Sequence, residues 1–297
     1  MNLHLNGIFP PIATPFYSDD EIAFDKLKLN LSRYDKFNLK GYVVFGSNGE
    51  SVFLTREEKI KMISEVREHV ADEKIVIAGT GSDSIKETIH LSNEAAKSGA
   101  DYALIITPYF YQKGMTHKAL ISYYSSVADS TKIPIIIYNV TKFTNVNISA
   151  ETVAELSNHQ NIVGIKNSTE NIAELSEIVN VVPNHFCVLA GTGSVLLPGL
   201  QAGCVGGVLA LANIAPKECL DIYNKFTEGK FDEAKEIQNR MLAVNKAVTA
   251  AYGVAGLKTA MDILGYYGGL PRKPLQPLES KQKKEIENLL IQAKLFN

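Results

Sequence analysis

Asn161-Ile-Val-Gly-Ile-Lys-Asn-Ser168 is a short, apolar, β-branched run, and three residues further on Asn171-Ile-Ala-Glu174 opens a segment of helical period. A run of that length and composition reads as a buried β-strand, and Asn with Glu three places later reads as a helix start. The pair makes one strand–helix unit, and units of the same kind run through the chain. The strand candidates are Ile8–Thr14, Gly41–Gly46, Lys74–Gly79, Asp101–Thr107, Ile133–Val140, Asn161–Ser168, Phe186–Gly191 and Cys204–Ala212. Thr55-Arg-Glu-Glu58 and Ser84-Ile-Lys-Glu87 are capping boxes that open two of the intervening helices. Parallel strands need long crossovers, so the alternation implies a parallel sheet, and eight strands close an α/β barrel. An open doubly wound sheet is the competing arrangement. It lacks support after the first strand, where Pro10-Pro-Ile-Ala-Thr-Pro15 stands in place of Gly-x-Gly-x-x-Gly.

At 297 residues the chain has the length at which such barrels run as one unit, and a 45% hydrophobic fraction supports a full core. The expected class is α/β, a (β/α)8 TIM barrel over 1–225 with a C-terminal helical extension over 226–297 packed on it. Helices are expected there at Phe231–Val248, Gly256–Leu264 and Ser280–Ala293, with Gly265-Tyr-Tyr-Gly-Gly-Leu-Pro-Arg-Lys-Pro274 between the last two. Net charge is -2 and no basic run occurs, so neither nucleic acid nor an anionic membrane is an expected partner. Cys187, Cys204 and Cys219 form no Cys-x-x-Cys pair and read as reduced core residues, which points to the cytoplasm. The first residues carry no basic segment ahead of an apolar one, so no signal peptide is expected. From Ile178 to Pro216 there is no Asp, Glu, Lys or Arg. Pro183, Asn184, His185 and Pro198 interrupt that stretch, which reads as interior strand, turn, short helix and strand, not as a membrane span.

In an α/β barrel the chemistry gathers at the carboxyl ends of the strands, and Lys166 is the most informative residue there. An ammonium is costly to bury without a partner. Alternation puts Gly164, Lys166 and Ser168 on one face of the strand and Val163 and Ile165 on the other. A lone amine among small, hydroxyl-bearing neighbours is placed to lose its proton and attack a carbonyl carbon; the plain alternative is a strand-end lysine whose head reaches water. Tyr138, on one parity with Ile136, is a candidate acid–base or a packed phenol with a bonded hydroxyl. Gly46-Ser-Asn-Gly-Glu-Ser51 offers amides and hydroxyls to a carboxylate or phosphate oxygen, or is an ordinary polar turn. Thr107-Pro-Tyr-Phe-Tyr111 lines a mouth or covers a loop. Gly79-Thr-Gly81 and Gly191-Thr-Gly193 imply close backbone approach. The histidines (His4, His69, His90, His117, His159, His185) show no two-histidine ligand spacing, so no metal site is expected.

Taken in order, the Gly-Ser-Asn-Gly-Glu-Ser, Thr-Pro-Tyr, Tyr-Asn-Val and Gly-Ile-Lys-Asn-Ser motifs resemble the dihydrodipicolinate synthase / N-acetylneuraminate lyase family, pyruvate-handling class I aldolases on (β/α)8 barrels. The resemblance runs from Gly7-Ile-Phe-Pro-Pro-Ile-Ala-Thr-Pro-Phe16 to Pro271-Arg-Lys-Pro-Leu275. The late segment Val248–Leu278, with Gly253-Val-Ala-Gly-Leu-Lys258 and Gly265-Tyr-Tyr-Gly-Gly269, together with Gly46-Ser-Asn-Gly-Glu50, is similar to the 4-hydroxy-2-oxoglutarate aldolase branch. The resemblance implies that Lys166 forms an imine with pyruvate, an attack that burial without a counter-ion assists by disfavouring the charged amine. It implies Tyr138 as proton shuttle and Ser47, Asn48 and Gly49 as the hold on the pyruvate carboxylate, with Ser47 relaying protons to Tyr138. Ser168 and Gly191 join the substrate site. It implies neither metal nor cofactor, because the protonated imine is the electron sink, and a homo-oligomer, dimer or tetramer.

Three positions depart from the family pattern. Phe110 stands where many relatives carry a second Tyr that reaches into a neighbouring subunit's site, leaving Tyr109, Tyr111 or nothing to supply that hydroxyl. Phe143, with Lys142 beside it, stands where the synthase branch has an arginine that grips the aldehyde's carboxylate, which assigns Phe143 to the acceptor pocket. Thr192-Gly-Ser194 replaces the acidic residues of sialic acid lyases. The reading is a class I aldolase that cleaves or forms a 2-oxo-4-hydroxy acid, such as 4-hydroxy-2-oxoglutarate or a 2-keto-3-deoxy sugar acid, from pyruvate and a small aldehyde. The alternative is 4-hydroxy-tetrahydrodipicolinate synthase, which condenses pyruvate with aspartate semialdehyde. A barrel that binds an oxo acid without turnover is the non-enzymatic alternative, and retention of both Lys166 and Tyr138 counts against it.

Overall fold

A computed structural model describes residues 5–296. Expectations resting on residues 1–4 and 297, the reading of the N-terminus and His4 among them, lie outside the described residues. Strand and helix alternate: β1 (Gly7–Phe9), α1 (Phe24–Tyr34), β2 (Gly41–Val44), α2 (Arg56–His69), β3 (Ile75–Gly79), α3 (Ile85–Lys97), β4 (Tyr102–Ile106) and α4 (His117–Ser130). β5 (Ile135–Asn139) is followed by a short α5 (Thr141–Thr144) and α6 (Ala150–Leu156). Then come β6 (Ile162–Asn167), α7 (Ile172–Val181), β7 (Cys187–Ala190), α8 (Leu196–Gln201), β8 (Gly206–Val208) and α9 (Pro216–Thr227). The eight strands form one parallel sheet in the order β1-β8-β7-β6-β5-β4-β3-β2. The ends meet where the Pro11–Val43 bridge and the Ile12 N–H to Val43 carbonyl bond (3.0 Å) join the β1 continuation to β2, which closes the (β/α)8 barrel. No helix among the described residues is long and apolar enough to cross a membrane.

The first and last strands are shorter than the apolar runs suggest. Beyond Phe9, Pro10 and Pro11 have no N–H to give a ladder, so only isolated bonds continue the pairing. Beyond Val208, residues Ala210–Asn213 turn into a 3-10 helix whose Asn213 amide donates to the Pro11 and Ala210 carbonyls. Gly206 lies so close to β1 that a Cβ there would sit 2.0 Å from the Gly7 oxygen.

Inward side chains fill the barrel: Phe9, Val43, Ile77, Leu104, Ile136, Tyr138 and Leu189 belong to one cluster, while Ile8, Val44, Ile105, Ile137 and Ile165 face the helices. One irregularity corrects the expected faces of β6. Ile135 pairs with Ile162 and Ile136 with Gly164, so Val163 is an extra residue that bulges from the ladder. Val163 therefore packs against the interior cluster and does not share a face with Ile165.

The Thr55 capping box forms in both directions. Those at Ser84 and Asn171 form in one direction only. Glu87 turns to the Arg56 guanidinium, and Glu174 accepts from Asn167 and Thr169. Charge and a strand-end amide compete successfully with a cap N–H.

After α9 the chain forms α10 (Phe231–Lys246), a π-helical turn over Ala247–Ala251, α11 (Gly253–Ile263) and α12 (Ser280–Gln292). The π turn and Gly253 extend the helical stretch beyond the expected Phe231–Val248 and Gly256–Leu264. The strap between α11 and α12 returns to the barrel, where the Arg272 guanidinium grips both Glu58 oxygens (2.8 and 2.5 Å) and donates to the Phe53 and Asp20 carbonyls. That guanidinium holds the Glu58 carboxyl below the ordinary glutamate value of 4.5. A depressed carboxyl adds stability that is present above its unfolded-state value and is lost as pH falls through the folded one. Arg272→Met is expected to cost about 1.5–3 kcal/mol at pH 7, as for charge-assisted bonds. The part of that penalty owed to the Glu58 pair should be lost as pH falls through the folded Glu58 value, which lies below 4.5, leaving the part owed to the carbonyl bonds, read from urea unfolding at a series of pH values. A penalty that persists undiminished in acid would assign Arg272 a packing role only.

Candidate active site

Tyr138 and Lys166 are direct cross-strand partners near the carboxyl ends of β5 and β6. The Lys166 Nζ lies 4.0 Å from the centre of the Tyr138 ring, and both residues are buried. The residues that follow them point the other way and are anchored there. The Asn139 amide donates to Asn147 (2.6 Å) and Asn167 (3.2 Å), and the Asn167 amide donates to Glu174 (2.8 Å). Because successive side chains alternate, pinning Asn139 and Asn167 outward holds Tyr138 and Lys166 inward.

Two lysines of the described residues are buried, Lys166 at 3% exposure and Lys258 at 1%. Lys258 meets Glu50 at 2.5 Å and donates to the Leu270 carbonyl. Lys166 has no carboxylate at ion-pair distance among the described residues; its neighbour is the Tyr138 ring face. An amine so placed is chemically available, whereas one locked to a carboxylate is not.

The loop after β2 brings a hydroxyl to this pair. Ser47–Gly49 is a 3-10 turn, and the Ser47 and Tyr138 hydroxyls are 3.1 Å apart. A cavity of ≈ 350 Å³ is lined by Ser47, Asn48, Tyr138, Lys166, Ser168 and Gly191, so six of the expected residues converge on one space. Phe143 and Lys142 lie at its edge, where Phe143 is 56% exposed and the Lys142 ammonium donates to the Thr249 carbonyl (3.0 Å). Gly49 is not brought there. It is buried, and its N–H is spent on the Gly46 carbonyl inside the turn (2.9 Å). A Cβ at Gly191 would lie 2.2 Å from the Ser168 Oγ, which explains the glycine as close approach.

Neither Tyr109 nor Tyr111 bonds to Tyr138 or Ser47 among the described residues. The Tyr109 and Phe110 amides instead donate to Asp83 (2.7 and 2.8 Å), and the rings of Phe110 and Tyr111 are largely exposed. Several lining residues escaped the sequence reading: Glu170, Ala210, and Thr249, Ala250, Gly253 and Val254 from the π turn and the start of α11. Glu170 and Ala210 follow β6 and β8 directly, whereas the others come from a distant helical segment that only tertiary packing brings to the mouth, so the motif containing Gly253 and Val254 did not mark them as lining residues. Thr192 also lines the cavity, and its hydroxyl is held by the Asn245 amide (3.2 Å). The one grouping of potential metal ligands among the described residues, Glu65, Glu68 and His69, lies on α2 outside the cavity.

Comparison with known proteins accords with this arrangement. The profile of the dihydrodipicolinate synthetase family matches residues 4–293. A 4-hydroxy-tetrahydrodipicolinate synthase of Methanothrix thermoacetophila is 35% identical over 285 residues, covering 96% of this chain and 95% of its own. The crystal structure of dihydrodipicolinate synthase from Aquifex aeolicus superposes with a TM-score of 0.92 at 32% identity, over 98% of this chain and 99% of that one. A prophage protein of the dihydrodipicolinic acid synthase family from E. coli K12, solved in complex with pyruvate, superposes equally well at 28% identity and covers the same shares of the two chains. The chain belongs to the dihydrodipicolinate synthetase family, whose members are class I, pyruvate-dependent lyases.

Proposed function

We propose that this protein joins pyruvate to a short aldehyde, or releases it, through an imine on Lys166. The observation that carries the reading is the buried amine without a counter-ion, set against the Tyr138 ring with Ser47 on the Tyr138 hydroxyl. The neutral Lys166 amine adds to the keto carbon of pyruvate, and the resulting carbinolamine loses water once its hydroxyl is protonated. Tyr138 is the proton carrier for that step and for carbon–carbon bond making or breaking, with Ser47 handing protons on. Loss of a methyl proton from the imine gives an enamine, whose carbon attacks the aldehyde. Ser47 and Asn48 are the proposed hold on the pyruvate carboxylate, with Ser168 and Gly191 bounding the same space. An assembly of two or four chains belongs to the proposal, for which the exposed Phe110 and Tyr111 offer an apolar contact.

For the acceptor, the relatives named 4-hydroxy-tetrahydrodipicolinate synthase support aspartate semialdehyde, the alternative drawn from the sequence, above the 2-oxo-4-hydroxy acid placed first there. Lys142 supplies a cation at the cavity edge for the carboxylate of such an aldehyde. The 2-oxo-4-hydroxy acid reading is retained as the second because Phe143 puts an apolar ring where the synthase branch has a guanidinium, and a ring offers no bidentate grip.

Borohydride with pyruvate is expected to add one pyruvate-derived mass per chain at Lys166, unchanged by chelator. Labelling that persists in Lys166→Ala would remove the imine mechanism. Tyr138→Phe keeps the ring over Lys166 and deletes only the hydroxyl. Turnover should fall by roughly 10²–10⁴-fold with the fold intact, and near-parental turnover would make Tyr138 a packing residue. The acceptor is settled by kcat/KM for aspartate semialdehyde against glyoxylate. On the synthase reading aspartate semialdehyde is preferred, and Lys142→Ala weakens that preference roughly ten- to a hundredfold, the worth of one charge-assisted pair. A glyoxylate preference that Phe143→Arg shifts toward aspartate semialdehyde would establish the second reading.

A further inference from the structure

The buried ion pair of Glu50 and Lys258 lies outside the Lys166 cavity, and the reaction described above does not use it. Its placement is nevertheless specific. Glu50 directly follows the Ser47–Gly49 turn and adopts the left-handed conformation, φ 56° and ψ 34°, which glycine holds readily and L residues other than asparagine and aspartate seldom do. Strain of that kind persists only where the surroundings over-determine it. They do so here. One Glu50 oxygen meets the Lys258 ammonium, and the other accepts from the Arg272 N–H at 2.7 Å. The Glu50 N–H donates to the Ser47 carbonyl (3.2 Å), and the Glu50 carbonyl accepts from Phe53 (2.9 Å). From the other side the Thr14 hydroxyl donates to the Gly49 carbonyl (2.7 Å). The turn is therefore clamped through Gly49 and Glu50, while Ser47 and Asn48 remain free to face the cavity.

A buried ion pair is weak as a stabiliser, since apolar residues of similar volume serve the fold as well, so its presence here calls for a reason beyond stability. We infer that Glu50, held by Lys258 and the Arg272 amide, is a positioning residue that sets the Ser47 hydroxyl against Tyr138, which makes the strap and α11 a working part of the catalytic loop. The inference rests on the role proposed for Ser47. Lys258 reaches the loop from α11 and Arg272 from the strap, so the two contacts fix its angle from separate segments.

The test is a double-mutant cycle on kcat/KM for condensation with the better acceptor. It compares Ser47→Ala in the parent with Ser47→Ala in the neutral pair Glu50→Gln/Lys258→Met, which leaves no uncompensated buried charge. The expected result is a loss of tenfold or more on Ser47→Ala in the parent and of twofold or less in the neutral-pair background, with imine trapping at Lys166 retained throughout. Equal losses in the two backgrounds would overturn the positioning role while leaving the site reading standing. A Ser47→Ala protein as active as its parent would overturn both. Should the neutral pair fail to fold, Glu50→Asp serves, because it keeps the charge but shortens the reach by one methylene. It should show the same diminished Ser47 effect, and an undiminished one overturns the inference.

Discussion

Lys166 and Lys258 are both almost wholly removed from water, and the fold handles the two amines in opposite ways. Lys258 is paired with the Glu50 carboxylate and donates to the Leu270 carbonyl. Lys166 is left with an aromatic face. An amine tied to a carboxylate is unavailable to a carbonyl carbon, and no carboxylate sits at ion-pair distance from Lys166 among the described residues. The arrangement around Lys166 serves that absence. Glu174, on α7, is turned outward and occupied by Asn167 and Thr169, and Glu170 lines the cavity without meeting the amine at ion-pair distance. The hydroxyl groups within the cavity are neutral donors that do not tie up the amine.

Division of labour between elements follows from the same need. The strands hold Lys166 and Tyr138 at a separation set by the ladder, which loops could not maintain. The loops then supply the oxygen-bearing turn after β2 and the rim of Lys142, Phe143 and Glu170. The C-terminal segment completes the rim with Thr249 and Val254 and contacts the β2 loop through Lys258 of α11 and Arg272 of the strap. The extension thus acts as a wall of the site in addition to covering the barrel.

The parts that were legible from the sequence are those written in local periodicity. Eight apolar runs separated by helical segments pointed to the barrel, and strand parity put Lys166 on a face with Gly164 and Ser168 and Tyr138 on a face with Ile136. The Val163 bulge was not legible, because alternation is a property of the chain and a bulge is a property of the pairing; the partner strand decides it. The one-way caps at Ser84 and Asn171 failed for a similar reason, since the rivals for Glu87 and Glu174 come from elsewhere in the fold. That the Gly49 N–H is spent inside the turn was not legible either, because a motif does not disclose which of its amides the turn consumes. Lys258 appeared only within a branch motif, and nothing in the sequence links it to Glu50 across 208 positions.

The extra residue in β6 also sets the terms on which this lineage can vary. Between Ile162 and Lys166 the chain takes one more step than β5 takes between Ile135 and Tyr138. Removing or adding a single residue there would turn Lys166 toward the helix layer, and with it every side chain downstream to the end of the strand. Point replacements of Ile162 or Ile165 by other apolar residues leave the orientation of the amine untouched. The composition of this strand is therefore free to vary among apolar residues while its length is not.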